Sequence, residues 1–173
     1  MKHLMAFFMF ANDAIQIPVD WLCVGVQKYF HVSRFWMMAL AMCATSSCLI
    51  GGLALSAYQD TLNGGRAFFV VTLVPIFLFS AIYHHMLSQR FEAGGTVKTG
   101  PRESVALFTR LVFTVFMPVV GLLEYQNGLF GSDYTDLVAA LSYTAYLWIA
   151  TSKDLDRGER ESLFELEAQK SES

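Results

Sequence analysis

The sequence predicts an all-α protein: a four-transmembrane-helix bundle with an interfacial amphipathic helix before it and an acidic cytoplasmic tail after it. Three observations lead there. Only 16% of the 173 residues are charged and 54% are hydrophobic, with a mean hydropathy of +0.42, whereas a water-soluble domain carries about 25% charged residues. The apolar residues stand in long blocks instead of the interrupted stripes of an amphipathic core. Basic residues are divided unequally between the loops, as they are in membrane proteins whose Lys-rich and Arg-rich loops stay in the cytoplasm. Together these features exclude a disordered chain, a disulfide scaffold and a typical soluble enzyme. Three regions follow: 1–34 before the bundle, 35–150 for the bundle, and 151–173 for the tail.

The chain opens with Lys2 and His3 ahead of the apolar run Leu4 to Ala11, the layout of a secretory signal. Cleavage there would leave the new N-terminus outside and place the basic side of the remaining chain on the wrong face, so the signal reading is rejected. Too short to span, this run is expected in the interface or against the bundle. From Pro18 to Arg34 apolar Val19, Leu22, Val26, Tyr29 and Phe30 recur at helical spacing opposite a polar stripe of Asp20, Gln27, His31 and Arg34. Pro18 suits the first turn of such a helix, where a missing N–H costs nothing. The expected element is an interfacial helix that bends into the first span, with Trp21, Tyr29 and Trp36 at headgroup depth.

A helix rises about 1.5 Å per residue, so about 20 mostly apolar residues cross a hydrocarbon core of about 30 Å. Four segments meet that requirement: Phe35 to Tyr58, Ala67 to Leu87, Val105 to Leu123, and Tyr134 to Ala150, the last at the short limit. Turn chemistry separates them, in Gln59 to Arg66, in Gly94 through Pro101, and in Glu124 to Asp133. With four spans the termini share a side with the middle loop. That side holds ten basic residues, Lys2, Lys28 and Arg34, then Arg90, Lys98 and Arg102, then Lys153, Arg157, Arg160 and Lys170, while the opposite side holds only Arg66. Both termini are therefore expected in the cytoplasm, and the short loops fit a bacterial inner membrane best. The tail, with seven acids and four bases, reads either as a solvated segment or as a docking segment anchored by Leu163, Phe164 and Leu166.

A net charge of -3 gives no basic patch for nucleic acid. Cys23, Cys43 and Cys48 form no CxxC pair and sit in apolar surroundings, so neither a metal site nor a disulfide framework is expected. The first span carries two adjacent rows of small residues, Ala39, Cys43, Ser47 and Gly51 beside Ala44, Cys48, Gly52 and Ser56. Small side chains let helix backbones approach closely in lipid, so this face either packs inside the bundle or meets another protein. Pro75 and Pro118 fall in the outer half of their spans, where kinks improve packing or open a cavity for a lipid-like ligand. Ionisable His84, His85 and Arg110 lie near the cytoplasmic ends of theirs. With Arg90 and Arg102 they are placed to bind anionic headgroups; a ligand site or interior hydrogen bonding are the other roles open to them.

No cofactor is expected. Adjacent His84 and His85 point about 100° apart on a helix and no other span carries a histidine to complete an axial pair. No Asp or Glu sits in the middle of a span to relay protons. HExxH and GxSxG are absent, and Lys98-Thr99 lacks the glycines of a P-loop, which stand here as Glu92 and Val97. The expected function is association, as an accessory, assembly or scaffold subunit touching membrane lipids and other membrane subunits or a second copy. A binder or carrier of a lipid-like ligand is the alternative, and an enzyme using His84 or His85 ranks last.

Overall fold

The computed structural model describes residues 2–94, 110, 112, 114 and 131–152, and the elements among them are all helices. α1 spans Lys2–Phe30, α2 Arg34–Tyr58, α3 Gly64–Glu92 and α4 Gly131–Ile149; Arg110, Val112 and Thr114 are helical too. The rest of the expected third span, with Pro118, lies outside the described residues, as do Arg102 and the tail from Lys153. Helices α2 and α3 are long and apolar enough to cross a membrane. Their 25 and 29 residues reach about 37 and 43 Å, more than a hydrocarbon core of about 30 Å.

α2 is the central helix, with α3 along one side and α4 along another. Phe35 and Met38 near its start pack with Leu87 and Phe91 of α3 and with Tyr146 and Ile149 of α4. One half of the molecule further on, Leu49 packs with Val70 and Ala139. This register makes α3 and α4 both antiparallel to α2 and parallel to each other. The molecule thus has an Arg34 end, where α2 begins and α3 and α4 finish, and an Arg66 end.

The turns are built by side chains that satisfy helix termini. Ser33 caps α2, its Oγ accepting from the Trp36 amide at 3.3 Å and lying 2.6 Å from Ser88 Oγ. His31, at φ 53°, turns the chain from α1 into that cap. Asn63 caps α3, its Oδ1 accepting from the amides of Gly65 at 2.7 Å and Arg66 at 3.2 Å. Gly64, Gly65 and Arg66, expected in the loop, are therefore first-turn residues, because an Asn that signals a turn is equally a favoured N-cap. Asn63→Ala is expected to lower stability by about 1 kcal/mol, read as a small downward shift of thermal unfolding in detergent.

Helix α1 departs from expectation in being continuous. Pro18 lies inside it, not at its start. A proline there removes the bond to the Ala14 carbonyl, but Ala14 and Pro18 are both exposed, so that carbonyl is not sealed within protein. Gln16 donates to Asp20 at 2.6 Å across the same stretch.

Large apolar side chains also face outward on α1 and α3. α1 turns Ile17, Trp21, Leu22, Tyr29 and Phe30 outward and buries Cys23 and Gln27. α3 exposes Phe68, Phe79 and Ile82 and buries His84 and Ser88. Hydroxyls that face apolar surroundings return to their own helix: Thr45 donates to the Ala41 carbonyl, Ser46 to Met42 and Ser56 to Gly52, each at 2.9 Å. This outward apolar area accompanies the two helices that are long and apolar enough to cross a membrane.

Candidate functional site

The Arg34 end carries a buried polar cluster centred on Arg110, which is 6% exposed. Its Nη1 donates to Gln16 Oε1 of α1 at 2.6 Å and to the Thr151 hydroxyl just past α4. The guanidinium lies 4.9 Å from the ring centroid of Trp148, whose indole N–H donates to Thr114 at 3.0 Å. Beside it, Arg34 donates to the Ser152 carbonyl at 2.6 Å. Burial pushes the Cys23 thiol above its ordinary range, with its hydrogen bond to Ser152 opposing and the nearby Asp20 charge adding to the rise. The cluster binds α1, the Arg110 helix and the end of α4 into one unit. Gln16 and Thr151 carry no local sequence signal, since their partner stands 94 and 41 residues away.

His84 and His85 point to different surroundings. His84 is buried, with Nδ1 2.7 Å from the Ser80 carbonyl. A carbonyl only accepts, so Nδ1 carries the proton and Nε2 is left as an acceptor in the neutral ring. Tyr83 and Tyr146 stand edge-on to it at 5.5 Å. His85 is exposed and 3.2 Å from Gln89 Nε2, and Arg90 is exposed as well. Among the described residues no group of three or more His, Cys, Asp or Glu side chains could hold a metal ion.

The two small-residue rows of α2 have different fates. Ala39, Gly52 and Ser56 are buried and Cys48 is half-buried, whereas Cys43, Ala44, Ser47 and Gly51 are exposed. Gly52 faces α4 so closely that a Cβ there would overlap Thr135 Oγ1 and come within 3.1 Å of Asp136 Oδ1; a Cβ on Gly51 would meet nothing within 4 Å.

At the Arg66 end, Arg66 Nη2 donates to Asp136 Oδ2 at 2.6 Å, tying α3 to α4. Below this pair a cavity of about 550 Å³ separates α3 from α4. Leu49 of α2, Val70, Leu73 and Phe77 of α3, and Ala139 and Ala140 of α4 line it. Pro75 is exposed, and its neighbour Ile76 contributes to the cavity wall. The signal that could have joined Arg66 to Asp136 was present in the sequence: the lone basic residue of its side stands at the same boundary as an acid.

Comparison with protein-family models, with curated proteins and with solved structures finds no match.

Proposed function

We propose that the chain is a multi-pass integral membrane protein that acts by association, as an accessory, assembly or scaffold subunit of a membrane complex. The observation that carries this reading is the open stripe on α2. Cys43, Ala44, Ser47 and Gly51 stand exposed alongside Leu40 and Ile50, so a second helix can approach that backbone closely. The four-span arrangement is supported by direction. α3 and α4 run the same way, so the chain between them returns from the Arg34 end, and Arg110 and Thr114 rise antiparallel to α4 beside Thr151 and Trp148. Ten basic residues against one favour a cytoplasmic Arg34 end, with both termini there, in a bacterial inner membrane.

Reporter tags fused to the two termini are expected to signal the same, cytoplasmic compartment. Opposite compartments would overturn the topology. Crosslinking followed by affinity purification in mild detergent is expected to recover a membrane-protein partner or a second copy; a lone monomer would overturn the association reading. The cavity between α3 and α4 favours a second reading, a binder of a lipid-like ligand, since its volume falls within the roughly 300–1,000 Å³ of small-molecule sites.

A further inference from the structure

We propose that the cavity between α3 and α4 holds one acyl chain of a phospholipid from the leaflet opposite the termini. The Arg66–Asp136 pair recognises its headgroup, a phosphate joined to a primary ammonium. This deepens the lipid-ligand reading and rests on the membrane placement.

The depth of the cavity fits one leaflet. From Arg66 at its charged end to Phe77 at its other end, α3 advances eleven residues, which is about 16 Å against about 15 Å for half of a hydrocarbon core. Phe77 and Tyr143, with ring centroids 5.4 Å apart, stand at the inner end, which that depth puts at the level of a bilayer midplane. Below the charged pair the walls are mainly aliphatic and aromatic, with the Thr45 hydroxyl donating to the Ala41 carbonyl and Tyr143 among the lining residues. Such a cavity does not hold water well and favours a hydrocarbon.

The charged end selects the headgroup. Arg66 and Asp136 are 21% and 42% exposed, at the level where α3 begins, so an incoming polar group reaches both. A phosphate satisfies the guanidinium and a primary ammonium donates to the carboxylate, which replaces one close ion pair by two charge-assisted contacts. A purely anionic head meets repulsion from Asp136, and a quaternary ammonium has no N–H to donate. Phosphatidylethanolamine has the required chemistry; phosphatidylcholine, phosphatidylglycerol and free fatty acid do not.

The test is photocrosslinking of the full chain in vesicles of equal parts phosphatidylethanolamine and phosphatidylcholine, with a diazirine in the acyl chain of one lipid at a time. Labelling by the ethanolamine lipid is expected on peptides carrying Leu73 to Phe77 and Ala139 to Tyr143, about tenfold above labelling by the choline lipid there. Asp136→Asn is expected to abolish that preference, and Ala140→Phe to remove the labelling by filling the cavity. Equal labelling by both lipids, or label confined to the outward Phe68 and Phe79 surface, overturns the proposal. Both outcomes come from the unaltered protein, so neither depends on a variant folding. A chain that stays in solution without detergent refutes the membrane placement itself, whereas an embedded chain with an unlabelled cavity refutes only the lipid site.

Discussion

Arg110→Ala is expected to loosen α1 from the bundle and to expose Cys23 to alkylation. The guanidinium is nearly sealed, donates to Gln16 of α1 and to Thr151, and stacks over Trp148. Losing a charged donor from buried neutral partners costs about 1.5–3 kcal/mol, and the lost contact with Trp148 adds to it, so about 3 kcal/mol is expected although Thr151 keeps its own 3.1 Å bond to Gln16. About 3 kcal/mol raises the population with α1 released by roughly a hundredfold. Cys23, 1% exposed in the intact protein, reports that opening through its rate of reaction with maleimide, measured with Cys43 and Cys48 replaced by serine. Its thiol is pushed up by burial, so the packed state holds the proton more tightly than the released state does. The stabilisation from that proton is complete below the ordinary thiol range and is lost as pH rises towards the raised value. Alkylation of the unaltered protein should therefore climb more steeply with pH than the thiolate fraction of a free thiol. Arg110→Lys keeps the charge but loses the planar fork and stack, and is expected to fall between. Equal alkylation rates in the Ala variant and the parent would show that Arg110 does not hold α1.

Where apolar blocks have hard polar ends, the helices were legible in the sequence. α2 differs by one residue from the span read between Arg34 and Gln59, because both flanks end the block sharply. α3 overruns its expected span at both ends, since hydropathy measures what dissolves in lipid while a helix continues as long as its backbone bonds and caps allow. Asn63 starts it early, and Glu92, accepting from Ser88 at 3.1 Å, belongs to its last turn. Pro18 was misplaced for a related reason: a proline is equally compatible with a first turn and with an interior whose freed carbonyl lies open. Of the site residues, the periodicity of four marks two small-residue rows on α2. It could not say that Gly52 lies under α4 while Gly51 does not, because that depends on where a neighbour 83 or 84 residues later comes to rest. The polar stripe of α1 was visible too, but not its direction. Burial of Gln27, and Asp20 accepting from the Gln16 that meets Arg110, turn that part of the stripe toward protein and the aromatic face outward, while His31 stays exposed.

Gly51 and Gly52 are neighbours in opposite surroundings, and substituting each in turn tests the proposed association separately from folding. Gly52→Leu is expected to break the packing of α2 on α4. Even the first carbon of the new side chain would overlap Thr135 Oγ1 and crowd Asp136 and the Arg66 guanidinium at 3.3 Å. Overpacking a fitted contact costs about 1–3 kcal/mol. Here the displaced groups include an ion pair joining α3 to α4, so the upper value is expected, seen as a large drop in thermal stability and in monodisperse yield. A Cβ on Gly51 meets nothing within 4 Å, so Gly51→Leu is expected to leave folding unchanged, or to raise helix stability slightly, since Gly is about 1 kcal/mol poorer than Ala in a helix. Its effect falls on the outer surface, where a bulky side chain holds a second helix away from the Cys43, Ser47 and Gly51 row. Loss of the co-purified partner with Gly51→Leu, at unaltered thermal stability, is the result that association through α2 requires. Retention of the partner by that well-folded variant would exclude the open face of α2 as the contact surface.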